Sequence, residues 1–123
     1  MKLFIAIGAG SFLGGILRYF FSQSMQTRMP YTFPVGTLGV NIIGCLFIGL
    51  LFGLSERSTL GQEWRIFLAT GLCGGFTTFS AFSVETFALM RDGQYSIALG
   101  YVSASIVLGL IATFLGFTLI KLF

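Results

Sequence analysis

Apolar residues fill four long runs in this chain, at residues 3–21, 33–54, 65–89 and 96–120, and short polar stretches separate them. A helix needs roughly 20 apolar residues to cross the hydrocarbon core of a bilayer, and each run is close to or above that length. The pattern predicts an all-α membrane protein with four transmembrane helices, forming a single domain over residues 1–123. The crossings consume nearly the whole chain, leaving no extramembrane domain for soluble chemistry. The third run is interrupted at residues 74–82, GGFTTFSAF, by glycines, paired threonines and spaced aromatic rings. Non-helical backbone at membrane depth is tolerated only where it is buried in protein or lines a water-filled cavity. A third helix broken near its middle is therefore expected, and with it a functional reason for the break.

Composition supports lipid as the solvent. The chain is 55% hydrophobic and 9% charged, with 15 phenylalanines and a mean hydropathy of +0.93. A soluble domain of this size would expose far more apolar surface than its core could absorb. Lys2 before an apolar run imitates a secretory signal, but no small-residue cleavage pattern follows, so the run reads as a retained first helix. Cys45 and Cys73 lie inside apolar runs and read as small packing residues, neither a disulfide nor a metal pair. The seven Lys and Arg residues are scattered, with no basic patch for nucleic acid.

An even number of spans puts both termini on one side, together with the Arg57 loop. That side carries Lys2, Arg57, Lys121 and Arg65, against Arg28, Arg91 and the helix end bearing Arg18 on the other. So small a Lys/Arg bias sets orientation weakly. Insertion in both orientations permits an antiparallel homodimer.

Single polar groups inside the runs mark the candidate chemistry. Arg18 lies deep in the first run, where a cation must face protein, water or an anion. Gly8, Gly10, Ser11, Gly14 and Gly15 precede it in the same run, recurring at helical spacings as notches for close helix packing. The polar loop at residues 22–34 contains both prolines and is the longest non-spanning stretch. Asn41 is a lone amide in the second run and must either clamp a neighbouring helix or line water; its NH2 group, with two hydrogens to donate, suits an anion. Glu85 either pairs with Arg18 or faces an aqueous vestibule. Phe79 and Phe82, three residues apart, share a helix face, and their positive ring edges attract a small anion without holding it tightly. Tyr101 and Ser105 share a face of the fourth helix, where hydroxyls either line a path or bond back to helix carbonyls. Arg91-Asp92-Gly93 forms the last tight turn.

Enzyme chemistry finds no support. The chain has no His, its carboxylates are not paired, neither Cys has a basic partner, and no phosphate-binding loop ends in Gly-Lys-Ser/Thr. A cation-coupled exporter calls for an acid within a span, yet the first two runs contain none. Arg18 and Asn41 favour an anion. Carbonyls freed at the break can ligate a cation. The competing class is a non-conducting membrane module in which the glycines and an Arg18–Glu85 pair serve assembly alone.

Three motifs, Gly14-Gly15-x-x-Arg18-Tyr19, Gly36-Thr37-Leu38-x-Val40-Asn41-x-x-Gly44 and the run from Gly74 to Phe82, resemble the CrcB/Fluc family of bacterial fluoride channels over essentially the whole chain. The resemblance implies passive fluoride export across the bacterial inner membrane by an antiparallel, dual-topology homodimer with two pores, each built from both subunits. It also implies pore roles for Phe79, Phe82 and Asn41, and a vestibule role for Arg18. Thr78, Ser80, Tyr101 and Ser105 correspond to polar groups along the path. A structural sodium ion at the dimer axis would rest on backbone carbonyls of Gly74 and Thr77. Gly109 departs from the family pattern, standing near where the family carries its next fourth-helix hydroxyl.

Overall fold

The computed structural model describes residues 1–29 and 32–123. The part of the predicted polar loop at residues 30–31 lies outside the described residues. Four apolar helical spans are present, and the third is bent and divided. In chain order they are α1 (Lys2–Gln26), α2 (Val35–Glu56), α3 (residues 62–76), α4 (Phe79–Arg91) and α5 (Tyr95–Leu122), with α3 and α4 the two halves of the third span. Within α3, Ile66–Cys73 winds in the wider π register, in which each N–H reaches back five residues.

Helix α1 runs on to Gln26, past the predicted end at residue 21. Ser22, Gln23, Ser24 and Gln26 are polar but the stretch contains no helix breaker, so the helix continues beyond the apolar run. Gln26 then ties the connection down. Its Nε2 donates to the Phe33 carbonyl at 3.1 Å, and its Oε1 accepts from the Gly36 N–H at 3.1 Å. That second bond satisfies one of the N–H groups left free at the start of α2. Pro34, with φ −79°, precedes the first residue of α2, so this helix begins two residues later than the apolar run.

In lipid, helices associate through close packing and hydrogen bonds, and small residues set how near two backbones come. Helix α1 lies along α3, and α2 along α5. Between α1 and α3, a Cβ on Gly10 would meet the backbone of Gly71 and Leu72 at 2.8 Å, and one on Gly75 would meet Ser11 at 2.7 Å. Between α2 and α5, Gly49 abuts the Thr113 backbone and Gly116 the Leu46 carbonyl. The Thr113 hydroxyl adds a hydrogen bond there, shared between the carbonyls of Cys45 and Gly109 at 3.1 Å each. Cys45 and Cys73 are both free thiols.

The α4–α5 turn closes on a positive-φ glycine. Gly93 (φ +78°) lets the Gln94 N–H reach back to the Leu89 carbonyl at 2.8 Å while its own N–H bonds Met90 at 3.0 Å. The buried interior is small, with Val40 and Tyr101 fully enclosed. Most large apolar side chains point outward, as a lipid-solvated surface requires.

Gly49→Val forces α2 and α5 apart and destabilises the protein by about 1–3 kcal/mol. Gly8→Ala, at a position where an added Cβ meets nothing within 4 Å, changes stability by less than about 0.5 kcal/mol. Thermal unfolding of the two variants in detergent checks the contrast.

Candidate functional site

The third span breaks at Thr77 and Thr78, whose backbones are extended (φ −85°, ψ 157° and φ −150°, ψ 114°). Each threonine completes the end of one half-helix. The Thr77 N–H and hydroxyl both bond the Cys73 carbonyl at 2.9 Å, closing α3. The Thr78 hydroxyl accepts from the Ala81 N–H at 3.1 Å, the N-cap bond that starts α4. Thr78 Oγ1 also lies 3.2 Å from Ser80 Oγ.

Asn41 on α2 holds the break by two points. Its Oδ1 accepts from the Thr78 N–H at 2.8 Å, and its Nδ2 donates to the Thr78 carbonyl at 3.1 Å. One helical turn further on, Gly44 provides the space for Thr77: a Cβ there would overlap the Thr77 methyl group. The carbonyls of Gly74 and Thr77 receive no hydrogen bond among the described residues. The N-terminus of α4, positive by virtue of its aligned peptide dipoles, points back into the same region.

Two grooves meet at Thr78. An aromatic groove of about 420 Å³ is lined by Asn41, Thr77, Thr78, Phe79, Phe82 and Ser105, with Cys45, Cys73 and Gly74 also on its wall. A polar groove of about 510 Å³ is lined by Arg18, Ser22, Gln23, Thr37, Thr78, Ser80 and Glu85. The Phe79 and Phe82 rings stand 5.5 Å apart, and Phe79 is 79% exposed. Ser105 Oγ is buried without a hydrogen-bond partner among the described residues. Leaving a buried hydroxyl unpaired costs about 1–3 kcal/mol, so this group is a donor in want of an acceptor.

Of the residues singled out in the sequence, Asn41, Thr78, Phe79, Phe82 and Ser105 come together in the aromatic groove, and Arg18 and Ser80 share the polar one. Tyr101 is fully buried and lines neither groove. Its hydroxyl donates to Glu85 Oε2 at 2.8 Å, and the Thr37 hydroxyl donates to Oε1 at 2.7 Å. Among the described residues no carboxylate lies within 4.0 Å of the Arg18 guanidinium, so Glu85 faces the polar groove without pairing with Arg18. Thr37 was not legible as part of the site: it lies 48 residues from Glu85, and no spacing rule joins them.

The donors available for a metal ion are backbone oxygens. Among the described residues no three His, Cys, Asp or Glu side chains cluster. The free carbonyls of Gly74 and Thr77 are hard oxygen ligands of the kind that suit an alkali cation. Two oxygens fill only part of such an ion's shell.

A sequence profile described as CrcB-like protein, Camphor Resistance (CrcB), matches residues 5–117. A protein of Parabacteroides distasonis named "Fluoride-specific ion channel FluC" is 48% identical, in an alignment covering 98% of this chain and 94% of that protein. Proteins of the same name from Flavobacterium psychrophilum and Pseudomonas putida are 44% and 45% identical, with 98% of each chain covered.

Asn41→Ala leaves the Thr78 N–H and carbonyl unpaired at membrane depth, a loss of about 2–4 kcal/mol for the two groups together. The melting temperature in detergent falls accordingly, and further than for Ser105→Ala, which removes a hydroxyl that already lacks a partner.

Proposed function

This chain belongs to the CrcB family, whose members are channels and not enzymes, and from that premise we propose that it conducts fluoride out of the cytoplasm, passively, through paired pores in an antiparallel, dual-topology homodimer. It is a multi-pass protein of the bacterial inner membrane. The observation that carries the proposal is the groove in which the Asn41 amide, the Phe79 and Phe82 rings and Ser105 come together, with the Ser105 hydroxyl set just behind the wall and without a hydrogen-bond partner among the described residues. Such a lining offers hydrogen-bond donors and ring edges to an anion, and it includes no carboxylate among the described residues.

The route follows from the order of the groups. Arg18 raises the anion concentration in the polar groove, because a cation in a partly desolvated cleft attracts over a longer range than one in bulk water. The hydroxyls of Ser80 and Thr78 and the positive end of α4 then replace part of the hydration shell. Thr78 lines both grooves, so it is the point of transfer to the aromatic side. There the ring edges of Phe79 and Phe82 and the Ser105 hydroxyl bind weakly enough for release, the compromise that conduction requires. Fluoride, the smallest halide, holds water most tightly and is matched by close donors; chloride is too large for them to converge upon. Asn41 spends one amide hydrogen and its oxygen on the Thr78 backbone, so its first task is to hold the transfer point, with the second hydrogen left for the anion.

Assembly as a homodimer is supported by features that a single chain does not use. Phe79 is 79% exposed beside an open groove. An added Cβ on Gly74 meets only the Ala69 carbonyl, at 3.8 Å, so no contact within the chain requires glycine there. A second copy brought to this face covers the ring and doubles the free carbonyls of Gly74 and Thr77. These four oxygens would hold a structural sodium ion between the subunits, where it ties the two breaks together.

Liposomes containing the purified protein release fluoride and retain chloride. Phe82→Ile, which keeps apolar bulk but loses the ring, lowers fluoride efflux on the order of tenfold. Asn41→Asp also lowers it, by putting a negative charge beside the path. Wild-type efflux no faster than from empty liposomes would overturn the reading. Exchange of sodium for N-methylglucamine lowers the melting temperature of the detergent-solubilised dimer, and added sodium restores it; an unchanged melting curve removes the ion from the scheme.

A further inference from the structure

Helices α2 and α5 belong to the second and fourth spans, so they run in the same direction and meet in register, turn by turn. Asn41 and Ser105 both line the aromatic groove. One turn further along each helix stand Cys45 and Gly109, where a Cβ on the glycine would lie 3.4 Å from Cys45 Sγ. A turn beyond that, Gly49 abuts the Thr113 backbone. The Thr113 hydroxyl, bonded to the carbonyls of Cys45 and Gly109 alike, locks this register. Residues four apart share a helix face, so the face of α2 that turns the Asn41 amide to the groove carries Cys45 as well, and Cys45 is part of the groove wall.

Helix α5 offers a hydroxyl at Ser105 and no side chain at Gly109, which is buried. The Cys45 sulfur fills the notch from across the seam. Cys45 is a free thiol and only half-buried, so part of its surface stays at the groove. An S–H group is a weak hydrogen-bond donor. We propose that Cys45 is a further residue of the anion path: its S–H is the donor that follows Ser105, supplied by α2 at the turn where α5 has no side chain. The two positions are about 6 Å apart along the helix axis, too far for one small anion to touch both, so they act in succession. An anion leaving the Ser105 hydroxyl meets next a donor that holds it less strongly, and a step down in affinity favours onward movement over trapping. The proposal rests on the channel reading above.

Efflux and vibrational spectroscopy of the full-length protein test it together. Cys45→Ala is expected to lower fluoride efflux from liposomes on the order of tenfold, the equivalent of one lost hydrogen bond. Cys45→Ala with Gly109→Ser is expected to restore efflux to within about threefold of wild type, because the new hydroxyl stands on the Ser105 face of α5 and reaches the space that the sulfur vacates. Cys45→Ala with Gly109→Ala, which refills the notch without a donor, is expected to stay at the low rate. The S–H stretching band that Cys45→Ala removes is expected to move to lower frequency when sodium fluoride is added to the wild-type protein, and to stay in place with sodium gluconate. Wild-type rates in Cys45→Ala, rescue by alanine as good as rescue by serine, or a Cys45 band indifferent to fluoride overturns the inference. If Cys45→Ala fails to assemble, the band is assigned from Cys73→Ala, which leaves Cys45 as the sole thiol, and its response to fluoride decides. A wild-type protein that passes no fluoride removes the channel reading and this inference together; wild-type flux with an unresponsive band removes this inference alone.

Discussion

The two hydrogen bonds between the Asn41 carboxamide and the Thr78 backbone support everything else at the site. In hydrocarbon an unpaired peptide group costs several kcal/mol, so a helix broken at mid-depth survives only where its loose ends find partners inside the protein. Asn41 supplies an acceptor and a donor in the spacing of a peptide group. Thr77 and Thr78 close the two half-helices with their own hydroxyls. With these groups satisfied, the carbonyls of Gly74 and Thr77 are left without partners and the N-terminus of α4 points inward, so opposite partial charges lie within a few residues of one another.

That clamp works only because the backbones around it come unusually close. Gly44 removes the side chain that would displace Thr77, and Gly10, Gly14, Gly71 and Gly75 bring α1 against α3. Lipid gives helices little hydrophobic reason to associate, so contact surface is won by omission of side chains. The same geometry brings Arg18, on the α1 turn after Gly14, to the polar groove beside the break. Close packing and electrostatics are thus one arrangement: the glycines carry the cation to the place where the half-helix begins.

The charges are kept apart in a way that suits an anion path. Arg18 has no carboxylate within ion-pair distance among the described residues, while Glu85, lining the same groove, is hydrogen-bonded by two hydroxyl donors. A direct ion pair would cancel the attraction that Arg18 exerts on an anion. Two hydroxyls satisfy the carboxylate and leave the guanidinium free.

The sequence by itself determined the four spans, the break in the third and the single polar groups at membrane depth, because each is a local consequence of hydropathy, of glycine and threonine chemistry, or of a cost that lipid imposes on any polar atom. It also placed Phe79 with Phe82, since helical spacing decides which rings share a face. The partners of those groups were another matter. Asn41 could clamp or line water, and the structure has it clamp Thr78 while also lining the aromatic groove; Glu85 could pair with Arg18, and it takes Thr37 and Tyr101 instead. Tyr101 and Ser105, one turn apart, go to different surroundings, one sealed against Glu85 and one with a buried, unpaired hydroxyl beside the aromatic groove. Those outcomes depend on how helices rotate and cross, which is set by side chains from three or four spans at once. No window along a single helix contains that information.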